Sequence, residues 1–307
     1  FRIFFHFSNV NAISDIDFYQ IIFVVNYKRK DIYKCMKIGN FKFDLENRTA
    51  VVGIVNLTDD SFSGDGIGSD IDKALNLIKL FTDNGVDIID LGAESTRPKS
   101  LYENVIEISE NQEIDRVVSV IESLRKISDV PVSIDTRKSK VAHEAVKAGA
   151  NIINDISMLE YDDEMIEVVK SSSIPYILTH NKPLETNNSV AEQVKIDLIE
   201  KIDYLDSNGV DSNKIILDPG FGFNKNYEQN IELHRNLDQI CNLGIPVLVG
   251  TSRKSFLGEI AGGASIEERE EISIASVIVC REKGAKLFRV HDAMAVKNLL
   301  EFIEKLS

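Results

Sequence analysis

At 307 residues, with 43% hydrophobic and 27% charged side chains, the chain has the make-up of a soluble globular protein, long enough for one large domain or two ordinary ones. Its net charge of −14 argues against general nucleic-acid binding, which needs a basic surface, but leaves room for a local cationic pocket. No apolar run approaches the ~20 residues of a spanning helix, and three cysteines without metal-type spacing point to neither a zinc site nor a disulfide framework, so a reducing, cytoplasmic setting is expected.

Residues 1–35 are rich in Phe, Ile, Asn and Tyr and show no helical or alternating period. Lys28-Arg29-Lys30 follows the apolar part instead of preceding it, and no small-residue cleavage site comes after, so a secretory signal fits poorly. This stretch reads as a leader outside the fold, an upstream extension more than a docking segment, with 36–307 as a single domain. Met36 opens a short hairpin-like pair, and AVVGIVN (50–56) is the first of eight apolar runs. A helix near 70–84 carries Ile71, Ala74, Leu75 and Ile78 on one stripe and stops at Gly85. DIIDLG (87–92) follows, then a long loop and a helix near 111–127. PVSID (131–135), a helix ending at Gly149, NIIND (151–155) and a helix near 162–172 continue the series. PYILTH (175–180) leads to a long helix near 189–207 with Val194, Leu198, Ile202 and Leu205 on one face. KIILDPG (214–220) precedes a helix near 227–242 built on Leu233, Leu237 and Ile240. After PVLVG (246–250), a seventh helix places Ile272, Ala275, Ser276 and Val279 together. KLFRV (286–290) leads to a last helix burying Val296, Leu299, Leu300 and Ile303. Cys241 and Cys280 fall in helices as small core residues. Eight strand-then-helix units with uniformly apolar strands predict a (β/α)₈ TIM barrel, an α/β fold whose site lies at the strands' C-terminal ends.

Those ends carry the chemistry. Arg289 and His291 alternate around Val290 and so share one side of the eighth strand. Thr251, Ser252, Arg253, Lys254 and Ser255 follow the seventh, and barrels commonly bind phosphate beside these two strands. Together they predict an anion pocket; the plainer reading is a surface salt bridge for Arg289 and a packed His291. Opposite stand the acceptors Asp135, Asn154, Asp155 and Asp218. A carboxylate accepts two parallel bonds, so this set suits a flat heterocycle with adjacent N–H and NH₂ donors. Singly, each has a cap or turn as its alternative, Asp218 before Pro219-Gly220 above all. Two loops, LTDDSFSGDG and AESTRPKS, have the composition of segments that close over substrate. Asn56 offers an oxygen to Mg²⁺ held mainly by substrate phosphates, and a loop cap describes it equally well.

In order, Asn56, Thr58, Asp60-Ser61-Phe62-Ser63, Glu94-Ser95-Thr96-Arg97-Pro98, Asp135-Thr136, Ile153-Asn154-Asp155, Leu217-Asp218-Pro219-Gly220, Ser252-Arg253-Lys254-Ser255 and Arg289-Val290-His291-Asp292 resemble the dihydropteroate synthase family from about residue 50 to 292. The resemblance implies a transferase that condenses 6-hydroxymethyl-7,8-dihydropterin diphosphate with 4-aminobenzoate. By motif position, Asp135, Asn154, Asp218 and Lys254 would hold the pterin, and Phe223 would be a further substrate-binding residue. Arg289, His291 and Thr96 would take the diphosphate and Asn56 the Mg²⁺. Phe62, Ser63, Arg97, Pro98 and Ser255 would shape the aminobenzoate site, and Asp60, Asp218, Lys254, Arg289 and His291 would be the catalytic set. The family also implies a homodimer, with the last helices as the place to look.

Three departures from the family pattern stand out. Asp59 replaces a common Pro, Gly64-Asp65 inverts an Asp-Gly order, and THNKPL (179–184) replaces a Met-His-Met-Arg-Gly type run. Alternatives are a catalytically silent pterin-binding paralogue or a methyltetrahydrofolate-dependent corrinoid methyltransferase. The latter has no need of the SRKS, RVH and ESTRP segments.

Overall fold

The computed structural model describes residues 35–58, 70–94, 108–184 and 189–306. Eight apolar runs form the strands β3 (Ala50–Asn56), β4 (Ile88–Gly92), β5 (Val132–Asp135), β6 (Ile152–Asp155), β7 (Tyr176–Thr179), β8 (Ile215–Asp218), β9 (Leu248–Val249) and β10 (Leu287–Val290). They pair in parallel in the order β8-β7-β6-β5-β4-β3-β10-β9. A parallel bridge between Leu217 and Val247, with the Leu217 N–H donating to the Pro246 carbonyl at 2.9 Å, joins the two ends of the sheet into a barrel. The (β/α)₈ architecture expected from the alternation of runs is therefore the one observed.

Helices fill the connections: α1 (Ile71–Asp83), α2 (Glu110–Arg125), α3 (Ser139–Ala148), α4 (Met165–Ser172), α5 (Val190–Ser207), α6 (Tyr227–Arg235), α7 (Asp238–Cys241), α8 (Ser255–Ile260), α9 (Glu270–Glu282) and α10 (Ala293–Leu306). None of those described is long and apolar enough to cross a membrane. Along each strand one alternate series, including Leu91, Ile134, Ile153, Leu178, Leu217 and Val290, packs outward in the same cluster as helix residues such as Ile78, Ile121 and Leu198. The other series faces inward, as a period of two requires. Its lower members, Val52, Ile88, Ile152, Ile177, Ile216, Leu248 and Leu287, form a separate apolar cluster. Met36, Ile38, Phe43 and Leu45 belong to that cluster. They come from the antiparallel hairpin β1 (Met36–Ile38) and β2 (Phe41–Phe43), which plugs the bottom of the barrel. Further up, the same inward series turns polar, through Asp90, Ser133, Asn154, Thr179 and Asp218, all buried, and on to Asp135 and Arg289. The site thus sits on an apolar plug at the strands' C-terminal ends.

Four helical expectations shift. In the last helix, α10 buries Ala293, Val296 and Leu300 but leaves Leu299 and Ile303 half-buried. The helix near 162–172 starts only at Met165, because Asp162 is engaged elsewhere: its carboxylate accepts from Ser139 N at 2.7 Å, at the start of α3, and from Glu164 N at 3.0 Å. The 227–242 helix breaks in two at Asn236, whose backbone leaves the helical region (φ −113, ψ 20) and whose amide caps the Glu232 carbonyl at 3.0 Å. The seventh helix, α9, buries Ser273, Ser276, Val277 and Cys280, leaving Val279 40% exposed. Two serines face inward there because they serve the β9 loop. Ser276 Oγ donates to Thr251 Oγ1 at 2.9 Å, and Ser273 Oγ accepts from Arg253 N at 2.9 Å.

If the hairpin is a true plug, Ile38→Ala opens a void against the barrel floor. Urea unfolding should then show a loss of about 2–5 kcal/mol, the range for truncating a fully buried Ile. A loss under about 0.5 kcal/mol, typical of a surface change, would detach the hairpin from the core.

Candidate active site

Arg289, on β10, reaches across the barrel interior. Its Nε donates to Asp90 Oδ2 on β4 at 2.6 Å, and one terminal nitrogen donates to Asp135 Oδ2 on β5 at 2.7 Å. Burial opposes the guanidinium charge, but the two carboxylates outweigh it and hold its pKa above the ordinary Arg value. Asp135 behaves the opposite way. Burial pushes its carboxyl up, Asp90 adds to the push, and Arg289 only partly offsets it. Its other oxygen, Oδ1, is buried without a partner, an acceptor left open. Asn154, on β6, sets its amide nitrogen 3.4–3.5 Å from the Asp90 carboxylate.

Asp218 closes β8, and its Oδ1 accepts from Gly220 N at 2.8 Å, so it is both turn former and buried carboxylate. The loop that follows needs glycine at two points. Gly220 (φ +71) and Gly222 (φ +76) sit in the left-handed region; a Cβ would come within 1.9 Å of the His180 carbonyl at the first and 2.8 Å of Lys254 Cδ at the second. This close approach lets Lys254 lie along the loop. Its Nζ donates to the Phe221 carbonyl and stands 4.0 Å from the centroid of the Phe223 ring. Burial lowers the ammonium to about 8 although Asp218 pulls the other way. Burial likewise raises Asp218, with Lys254 as its main counterweight.

At the rim, Ser252 Oγ lies 2.9 Å from His291 Nδ1 and accepts from His291 N at 3.2 Å, which fixes the ring beside the β9 loop. Ser255 opens α8 and is exposed. Asn56 ends β3, half-buried and in register with Gly92. Among the described residues there is no cluster of three His, Cys, Asp or Glu side chains able to hold a metal. A single amide oxygen at the mouth fits Mg²⁺, which keeps waters and substrate phosphates as most of its ligands.

Two sequence assignments are corrected. Asp155 does not join the acceptors. It is one residue on from Asn154 and so faces outward, where it accepts from Tyr176 OH at 2.9 Å, from Ser157 N and Oγ at 2.8 and 2.6 Å, and from Leu159 N at 3.0 Å. Arg253 is not part of the anion pocket either. Its backbone is left-handed (φ 59) and its Nε turns to Glu270 on α9 at 2.7 Å. Asp60, Phe62, Ser63, Thr96, Arg97 and Pro98 lie outside the described residues, as do Asp59, Gly64 and Asp65.

The sequence reading missed several groups. Asp90 was overlooked inside an apolar run, although a carboxylate at an inward position of a barrel strand is itself the signal. Lys138 Nζ holds Glu94 at 3.1 Å, Glu113 at 2.7 Å and the Ile108 carbonyl at 3.4 Å, pinning both roots of the ESTRP loop. His180 and Lys225 meet behind the β8 loop at 3.0 Å. No local pattern announces these contacts, which join residues 25 to 45 positions apart.

A family model for "Pterin binding enzyme" matches residues 52–291. The dihydropteroate synthase of Clostridium beijerinckii is 46% identical over 260 residues, covering 84% of this chain and 94% of that protein. The structure superposes on Xanthomonas albilineans dihydropteroate synthase with 4-aminobenzoic acid at a TM-score of 0.80 and 34% identity, covering 89% of this chain and 97% of the other. The same enzyme in complex with 7,8-dihydropteroate gives 0.78 and 32%, with coverage of 89% and 98%. A pterin-binding barrel with cations and carboxylates interleaved at its mouth, 46% identical to one such enzyme over most of its length, places the chain in the dihydropteroate synthase family.

Proposed function

We propose that the protein condenses 6-hydroxymethyl-7,8-dihydropterin diphosphate with 4-aminobenzoate to give 7,8-dihydropteroate and diphosphate. The observation that carries this reading is the mixed mouth of the barrel: acceptors Asp135, Asn154 and Asp218 on three strands, with Arg289 and Lys254 set among them. Asp218 and the open Asp135 oxygen face the donor edge of the pterin, Asn154 adds an amide between them, and Phe223 covers Lys254 beside the ring. Lys254 bonds acceptor atoms of the same ring. The C–O bond to diphosphate breaks first, leaving a cation delocalised into the pterin. The arylamine nitrogen then forms the new C–N bond and gives up its proton. His291, fixed by Ser252, and Arg289 stabilise the departing diphosphate charge, with Thr96 as a further donor. The buried Asp218 carboxylate favours the pterin cation. Asn56 would hold Mg²⁺, which when bound neutralises charge on the leaving group. Asp60, Phe62, Ser63, Arg97 and Pro98 belong by motif to the two closing loops, and Ser255 to the aminobenzoate side. Exposed Val279, Phe302 and Leu306 on the last two helices support a homodimer through that face. Three free cysteines, Cys35, Cys241 and Cys280, suit a reducing cytosol.

Purified protein should release diphosphate only when both substrates are present; release with the pterin diphosphate alone, or none at all, would contradict the reading. Asp218→Asn should weaken pterin binding by about 1–3 kcal/mol, measured by calorimetry. Asp90→Asn loosens Arg289 without touching ligand, so kcat/KM should fall by an amount equivalent to about 1.5–3 kcal/mol while the fold stays intact by circular dichroism. Because the Lys254 ammonium loses its proton near pH 8 and only the charged form donates all three hydrogens, pterin affinity should decline as pH rises through that value. A flat affinity between pH 6.5 and 9 would remove Lys254 from the contact.

A further inference from the structure

A second half-buried lysine lies behind the first. Lys225, at the end of the β8 loop, points its ammonium back under that loop. There Nζ donates to the Gly220 carbonyl at 3.0 Å and to the Phe223 carbonyl at 3.1 Å, meets His180 Nδ1 at 3.0 Å, and lies 3.4 Å from the His180 carbonyl. His180 is wholly buried, and its Nε2 is 2.9 Å from Asp197 Oδ2 on α5. The Asp197 carboxylate only accepts, so Nε2 carries the proton, and burial holds the imidazole neutral, which leaves Nδ1 to accept from Lys225. Gln193 Nε2 donates to the other Asp197 oxygen at 3.1 Å. A chain of charged and neutral groups thus runs from α5, through His180, to the inside of the β8 loop.

What that loop presents on its far side is the seat of Lys254: the Phe221 carbonyl that accepts from Nζ and the Phe223 ring beneath it. Phe221 is flanked in sequence by the two left-handed glycines, and Phe223 by Asn224 (φ 45). Glycine backbone is freely adjustable and Asn224 is held in a disfavoured conformation, so the loop's shape calls for outside ties. Asn230 supplies one tie, accepting from Gly222 N at 2.7 Å and donating to the Lys225 carbonyl at 3.0 Å. Lys225 supplies the other, on the carbonyls either side of Phe221. No other side chain offers three donors from one atom, which is what two carbonyls and an imidazole converging on one point require.

We propose that Lys225 is a positioning residue for pterin binding that acts through Lys254, tying the Gly220–Lys225 loop into the shape that aims the Lys254 ammonium. The proposal rests on Lys254 gripping the pterin. Burial lowers Lys225 to about 7, against the pull of Asp218, and Lys254 repels it. A second cation so close to the first is a costly way to brace a loop. It is understandable if the loop's exact shape matters more than the stability lost.

The test is a double-mutant cycle read by calorimetry with the pterin diphosphate alone. Lys225→Met should raise the pterin Kd about tenfold, the scale of one charged hydrogen bond. In the Lys254→Met background the same change should have no further effect, and the KM for 4-aminobenzoate should stay unchanged throughout. Additive losses, or an unchanged Kd in Lys225→Met, overturn the proposal. An unchanged Kd in Lys254→Met overturns the reading of Lys254, and this proposal with it. If Lys225→Met does not fold, Asp197→Asn keeps the lysine and weakens only the chain behind it. A rise in Kd of about threefold that vanishes in the Lys254→Met background is then expected, from one weakened hydrogen bond. No rise overturns the proposal.

Discussion

Placing charge inside a closed barrel is the constraint on which the rest of this structure depends. Arg289 sits between Asp90 and Asp135, within 2.6 and 2.7 Å of them, at a depth where an unpaired ion is prohibitive. Breaking such a pair is far worse than never having built it, so each member fixes the others. Arg289 ties together carboxylates of two strands, and Asp90 extends the tie to Asn154 on a third. Above it, Lys254 counters Asp218 in the same way, and burial still lowers the lysine and raises the aspartate. The interior keeps a buried acceptor without a partner, Asp135 Oδ1. A donor-rich heterocycle, more so one carrying a transient cation, is the natural complement.

The same constraint explains what the sequence made legible. Strand phase alone put Asp135, Asn154 and Asp218 on the inside, because a period of two admits no other arrangement once the apolar partners face the helices. The same phase turns Asp155, one residue on from Asn154, toward the helices, and brings Asp90 inside although DIIDLG reads as an apolar run. Charge alone points Arg253 into the mouth, whereas its left-handed backbone and Glu270 on α9 direct its Nε elsewhere. The α9 face was misread for a related reason. Apolarity marks burial only where the buried partner is apolar, and Ser273 and Ser276 face the polar β9 loop.

Contacts between distant parts of the chain were beyond the sequence. Lys138 joins Glu94, Glu113 and the Ile108 carbonyl, and so fixes the two ends from which the ESTRP loop departs. Glu113 is wholly buried and also accepts from Thr136 Oγ1 at 2.7 Å, which links this anchor to the residue next to Asp135. The loop roots and the end of β5 that carries Asp135 are therefore parts of one hydrogen-bonded frame. Preorganisation of this kind lets binding energy go into orienting the reactants instead of ordering the protein.

Lysines 138 and 225 play parallel parts at the two sides of the mouth. Each is a cation with its ammonium turned inward, and each collects acceptors from segments that no regular hydrogen-bond ladder connects. A loop that must hold a functional group at fixed height above a barrel has few ways to be braced, since its own backbone bonds are not satisfied by strand or helix. A multidentate donor beneath it satisfies several carbonyls at once and forces them to a common point. The inward polar residues stand above the apolar plug, and these braces hold the loops that border them. The shape of the mouth thus rests on ammonium groups set beneath its loops as well as on the side chains that line it.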